Sequence, residues 1–435
     1  MLFGLKLSQS SALIGLSWSF LSFAAPPVAL AAIDQPTIPA KSFSIAAYGA
    51  LGDGAADNAV AIGKTVAAAE EAGGGTVEVP AGRYLTSPFA LASNIDLKLD
   101  SGATLLIEDN LSTYPMQLGA YVNCITATDC HDIAITGSGT IDGQGAAWWP
   151  HYKKGMPAAP HRPFLVVLTN CTRVLVDGVT LTNSPNFHLV PIQCTDVTIR
   201  NVTISAPSDS PNTDGIDPSG WNYLITGCKI DVGDDNIAIK PSKIDPSGKP
   251  SCENFTIDNC TFLNGHGMSI GGQTPGGLDG MTVTNCTFDG TTSGIRMKAG
   301  RGFGGLVQNV SYSNLTMSNV RNEILITSYY PTIPKDPSSD PAQPVGSLTP
   351  IWRHIQISNV KATGGNVACT ILGLPEMPVS GVTFNNVQLS AKSAGTVVNA
   401  ENIQFNDSSI IADDGKPVAA AKAAISGISV ASPAN

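Results

Sequence analysis

Cys194-Thr-Asp-Val-Thr-Ile-Arg-Asn-Val-Thr-Ile204 contains two short strands separated by a small polar turn. In the first, Asp196 to Ile199, side chains alternate, so Val197 and Ile199 share one face. Asn201 marks the turn, and Val202 to Ile204 form the second strand. A longer variable loop follows, and then the pattern returns. Further copies begin near Cys171, Trp221, Cys252, Gly280, Gln308, Trp352, Val379 and Glu401. Their spacing, about 20 to 45 residues, is that of a solenoid or propeller built from short strands. No blade signature is present, and the Asn or Gly corners suit stacking of like on like. The expected fold is all-β, a right-handed parallel β-helix.

Working outward, Phe43 to Ile45 precedes Gly52-Asp53-Gly54 and a helical stretch from Ala59 to Glu71, which Gly73-Gly74-Gly75 terminates. That helix is expected to cap the first open turn, because bare strand edges invite aggregation. The triplet is no phosphate loop, since it lacks the Lys-Ser/Thr pair and does not precede a helix. The β-helix is expected over 43–410, after a linker over 32–42. Residues 331–350, rich in Pro, Ser and Asp, form a long loop. Beyond Ile411 no strand pattern is evident, so 411–435 is expected to be a tail or cap.

Seven of the nine cysteines keep register with the repeat. Cys130, Cys171, Cys194 and Cys252 open repeats, and Cys228, Cys260 and Cys286 stand two residues before an apolar residue. Such placement suggests stacked buried thiols rather than staples, and no Cys/His pair has zinc-ligand spacing. Asn170, Asn201, Asn259, Asn285, Asn309 and Asn314 head Asn-x-Ser/Thr triplets inside the repeat and read as Asn ladders at turns.

Residues 1–31 read as a secretory signal: Lys6, an apolar stretch from Ala12 to Phe23, and the small-residue site Ala29-Leu30-Ala31. The stretch is too short and too interrupted by serines for an anchor. A secreted or periplasmic protein is expected, with no membrane attachment after cleavage. A net charge of −10 with only 13% charged residues excludes the basic footprint of a nucleic-acid binder. An anionic ligand would need local cations. A monomer is expected.

Four motifs lie on consecutive repeats: Asn212-Thr213-Asp214, Gly233-Asp234-Asp235, Gly265-His266-Gly267 and Arg296-Met297-Lys298. Aligning the following strands matches Asp214-Gly-Ile216 with Asp235-Asn-Ile237, Gly267-Met268 and Ser293-Gly-Ile295. Adjacent turns stand about 4.8 Å apart, so Asp214 and Asp235 become neighbours. His266 falls one rung from Asp234. With Ile295 and Met297 pointing inward, Arg296 and Lys298 point outward, and by the same parity so does Lys240. Strict alternation would turn Asp214 and Asp235 into a dry core, which is untenable for two carboxylates. A turn must therefore break the alternation there. A structural column would repeat one residue type, as the cysteines do; this one changes chemistry at every rung.

At these residues the chain resembles the polygalacturonases of glycoside hydrolase family 28. That pattern is Asn-Thr-Asp, Asp-Asp, Gly-His-Gly and Arg-Ile-Lys, with Met297 replacing the Ile. The flanks Gly139 to Gly145, Trp148-Trp149, Asn183-Ser-Pro185 and His188 agree. The resemblance implies an outer-face cleft, an anionic pectic polysaccharide as substrate, inverting hydrolysis, and no metal or organic cofactor. It implies Asp234 as general acid, Asp214 and Asp235 as holders of the attacking water, and His266 as the group tuning Asp234. Arg296 and Lys298 would bind the substrate carboxylate, Asn212 would orient its neighbours, and Tyr329 is chosen from Ser328-Tyr329-Tyr330 as the aromatic contact. Lys240 as a further carboxylate contact follows from parity. The alternatives are a hydrolase of rhamnogalacturonan or xylogalacturonan, a Ca²⁺-dependent pectate lyase, and a non-catalytic carbohydrate-binding β-helix. The acid–base set argues against the last two.

Overall fold

The computed structural model describes residues 33–152 and 161–431. The expected signal, 1–31, lies outside the described residues.

Strands pair in parallel with their counterparts one turn later, and three such stacks form the faces of a parallel β-helix. One stack runs through Thr172–Asp177, Cys194–Arg200, Gly220–Thr226, Cys252–Asp258 and Leu278–Thr284. A second runs through Thr180–Thr182, Thr203–Ser205, Lys229–Val232 and Thr261–Asn264. The third passes Leu189–Ile192 and Ile216 to Ile237–Ile239, Met268–Gly272, Ser293–Ala299 and Asn322–Thr327. The functional residues gather at this third face.

The period-two pattern has its expected effect. Val174, Val197, Tyr223, Phe255, Met281, Val310, Ile355 and Val382 pair in succession and are all buried. Tyr223 and Phe255 stack with centroids 4.5 Å apart. Each large apolar side chain buried this way contributes about 1.5–3 kcal/mol. All nine cysteines are free thiols, and all but Cys130 are buried. At the corners, Asn201, Asn285 and Asn314 have φ of 56°, 54° and 54°, a conformation Asn tolerates. Asn201 donates to Asp177 at 3.1 Å, Asn285 to Asp258 at 2.8 Å and Asn314 to Asn285 at 3.2 Å. These bonds run from turn to turn, so the Asn column expected from the triplets is a mixed ladder in which Asn stacks on Asp as well as on Asn.

A 13-residue helix, Ala59–Glu71, buries Ile62, Thr65, Val66 and Ala69 and lies against the first strands, Ser42–Ser44 and Gly75–Val79. Two boundaries differ from expectation. The stretch taken for a linker is tied down: Gln35 donates to Thr198 Oγ1 at 2.7 Å, and Thr37 donates to Asp132 Oδ1 at 2.9 Å. The C-terminal stretch is not strandless either. Ala419–Ser426 pairs with Thr396 to Gln404, and Ser429–Ala431 pairs with Ser409–Ala412. Alanine carries little alternation signal. Ile425 and Ile428 nonetheless pack on the core and seat this last turn.

Candidate active site

The backbone delivers the carboxylates by a device that alternation alone cannot express. Asp214 and Asp234–Asn236 precede their strands, in turns rather than in the pleat. Strand pairing resumes at Ile216 and Ile237, which form a bridge and point inward. Asn236 secures the second turn: its amide donates to the carbonyls of Ile230 (3.0 Å) and Leu263 (3.2 Å), and its Oδ1 accepts from Gly267 N at 2.7 Å. Gly267 has φ +76°, and a Cβ there would stand 1.9 Å from Ser293 O, so only glycine lets His266 sit where it does. Under Asp214, the buried His188 ring places Nδ1 3.0 Å from the Asp214 carbonyl. Burial pushes His188 down to about 4, so it stays neutral.

The four motifs do converge. Asp235 is 1% exposed. Its Oδ1 accepts from Arg296 Nη1 at 2.7 Å and Ser269 Oγ at 2.9 Å, and its Oδ2 from Lys298 Nζ at 2.7 Å. His266 Nδ1 lies 2.8 Å from Asp234 Oδ1, an ion-pair contact without the alignment of a hydrogen bond. Asn212 Nδ2 donates to Asp234 Oδ2 at 3.4 Å. Arg296 and Lys298 stand on the outward face, as parity required, with Ile295 and Met297 buried opposite.

Sequence reasoning missed two groups. Arg162 reaches Pro211 O (2.9 Å) and Asn212 Oδ1 (3.0 Å), and so fixes the Asn212 amide that faces Asp234. The second is Asp217, buried beside Asp214, with its Oδ2 3.3 Å from Lys240 Nζ. Parity could have found it. Asp217 follows Ile216, and so shares a row with Ala238, Ser269 and Arg296.

Two expected substrate contacts fall differently. Lys240 does follow the row of Lys298, but its ammonium sits between Asp214 Oδ2 (3.4 Å) and Asp217 (3.3 Å). Two buried carboxylates claim the charge before any ligand can. Tyr329 turns away from the site: it packs with Leu372, Leu374 and Val398, and its hydroxyl donates to Asp340 Oδ2 at 3.0 Å. Its neighbour Tyr330 is the exposed ring, with Lys298 Nζ 5.2 Å from its centroid. Successive residues here face opposite ways, and the apolar pocket takes Tyr329.

The protonation states divide sharply. For Asp235, burial raises the pKa, but Lys298, His266 and Arg296 outweigh it and hold the group well below the carboxylate range. For Asp234, burial is likewise outweighed, chiefly by His266. Asp214 is raised well above its ordinary value by burial and by Asp217, with Lys240 only partly offsetting them. Burial pushes Asp217 up to about 7 against the pull of Lys240. On His266, burial is overcome by Asp234 and Asp235, which raise it. Donor atoms of Asp234, Asp235 and His266 lie within 4.8 Å of one another, close enough to suggest a metal. Asp235 is already saturated by Arg296 and Lys298, so this trio is not a free donor set.

Fold and site together are a parallel β-helix that carries carboxylates, an imidazole and cations on one face. Residues 71–410 match the profile of Glycosyl hydrolases family 28. An endo-polygalacturonase of Pectobacterium carotovorum subsp. carotovorum is 33% identical over 337 residues, covering 73% of this chain and 80% of the relative. Among solved structures, a hyperthermoactive exopolygalacturonase from Thermotoga maritima superposes with TM-score 0.72 at 25% identity, covering 92% of this chain and 94% of that one. The polygalacturonase from Erwinia carotovora ssp. carotovora gives 0.68 at 30% identity, with 82% and 95% covered. The chain belongs to glycosyl hydrolases family 28. It is a glycoside hydrolase.

Proposed function

We propose that this protein hydrolyses α-1,4-galacturonosyl linkages in polygalacturonate by a single inverting displacement. The observation that carries this reading is the joining of a carboxylate cluster to two outward cations, Arg296 and Lys298, on one face. An acid–base set suits glycoside cleavage, and fixed cations suit a uronate. Asp234 gives its proton to the glycosidic oxygen as the bond to the anomeric carbon breaks. His266, raised toward its charged form, draws the proton affinity of Asp234 down, so the protonated Asp234 is a strong donor to the leaving oxygen. Water attacks the anomeric carbon from the opposite face, and its proton goes to Asp214. The Oδ1 of Asp214 has no hydrogen-bond partner, and its raised affinity suits a base. Asp235 stays ionised and holds the two cations in place beneath the sugar carboxylate, while Tyr330 packs beside it. The scheme uses no metal or organic cofactor.

The test is incubation of purified protein with polygalacturonate in the presence of a chelator, followed by proton NMR. New reducing ends that appear first in the β configuration are expected. An unsaturated, ultraviolet-absorbing product, or no new reducing ends, would reject the proposal.

A further inference from the structure

Lys240 is the only cation in contact with either Asp214 or Asp217 among the described residues. Both carboxylates are almost wholly buried, at 3% and 2% exposure. Neither Asp217 oxygen has a hydrogen bond, and neither does Asp214 Oδ1. A buried carboxylate without hydrogen bonds depends on its ion pair. One ammonium thus serves two acids that both need it.

We propose that Asp217 is a positioning residue that competes with Asp214 for the Lys240 ammonium and so sets the lower pH edge of hydrolysis. This rests on the reading of Asp214 as the base. The ordering is physical. When Asp217 is ionised, it repels charge on Asp214 across Lys240, and Asp214 ionises only at higher pH. The other charged or titratable groups facing the pair are Asp234 and Asp235, from the turn before Ile237–Ile239, and Arg162, whose charge reaches Asp214. His188 approaches only the Asp214 carbonyl and is neutral. Asp234 and Asp235 have His266, Arg296 and Lys298 of their own. Asp217 has Lys240 alone, so its charge falls most directly on Asp214. The raised affinities of both acids agree with this arrangement.

The experiment compares kcat on polygalacturonate from acid to neutral pH for the wild type, Asp217→Asn and Lys240→Met. Asp217→Asn is expected to move the acidic limb down by about half a pH unit or more, with KM within about twofold. Lys240→Met is expected to move it up. A limb that coincides with wild type, or a kcat lowered equally at every pH, overturns the proposal. If Asp217→Asn does not fold, Asp217→Ser takes its place; failure of both to fold makes the residue a scaffold group and also overturns it. Asp214→Asn separates the two readings: retained hydrolysis in that variant rejects Asp214 as base, whatever Asp217 does.

Discussion

His266 Nδ1 stands 2.8 Å from Asp234 Oδ1 and 3.6 Å from Asp235 Oδ1, so a single imidazole faces both members of the carboxylate pair. The two acids differ in what else they hold. Asp235 has Arg296 and Lys298, and it stays charged. Asp234 has no cation but the imidazole in contact among the described residues; its other partners are the amide of Asn212 and the backbone N–H of Asp235 at 2.9 Å, and it is about one quarter exposed. Adjacent residues of identical chemistry thereby stand in different surroundings, Asp235 clamped by two cations and Asp234 facing the imidazole.

Replacing Asp234 with Asn should therefore remove the proton donor while leaving the cations untouched. The expected loss in kcat on polygalacturonate is about 10²–10⁴-fold, the usual worth of a general acid. Substrate binding, measured by calorimetry on the inactive variant, should persist. A loss below tenfold would place the acid elsewhere.

Lys298→Met should act on stability as well as binding. It strips one of two cations from a carboxylate that is 1% exposed. Breaking one side of a buried ion pair costs about 3 kcal/mol or more. Urea unfolding measures it, and the double variant Lys298→Met/Asp235→Asn should recover part of the loss. If the double variant is no more stable than the single, the ion pair is not the source of the cost.

Much of this was legible in advance, for identifiable reasons. Parity placed Arg296 and Lys298 outward because Ile295 and Met297 lie inside a regular strand. The same rule applied one residue past Ile216 finds Asp217, but the alignment of Asp214-Gly-Ile216 stops short of it. Parity could not place Asp214 or Asp235, which stand in turns before the pleat begins, where backbone bonds such as Gly215 N to Asp235 O set the geometry. Arg162 was beyond reach, because it arrives from a distant loop. The final strands escaped notice because alanines leave no contrast between inner and outer rows.

The pH dependence of folding has a definite sign. Burial raises Asp217 to about 7 and Glu323 to about 8, so both bind protons more tightly in the folded state. For an acid with a raised folded pKa, stability is present below the unfolded value and is lost as pH rises through the folded one. His266, also raised, acts in the same direction. His188, lowered to about 4, opposes it, but only below its ordinary value. From about pH 6.5 to 8.5 the melting temperature should therefore fall. Glu323→Gln should flatten the upper part of that fall. A melting temperature that rises across the window would contradict the assignment.

Tyr329 and Tyr330 provide the last test, since they are adjacent in sequence and opposed in space. Tyr330 is 37% exposed and lies over the Lys298 ammonium, and Gly272 has no Cβ to displace its ring. A sugar bound at Lys298 would meet that ring. Tyr330→Ala should raise KM on polygalacturonate about tenfold, the worth of a lost aromatic contact and cation–π pair. Tyr329→Phe removes only the bond to Asp340, within a network where Arg301 binds Glu376 at 2.6 Å and Asp340 at 2.7 Å. It should lower the melting temperature slightly and leave KM unchanged, because its ring stays in the pocket of Leu372, Leu374 and Val398. Steady-state kinetics on the two variants decide the matter. The reverse pattern, with KM moved by Tyr329→Phe and not by Tyr330→Ala, would return the substrate contact to Tyr329.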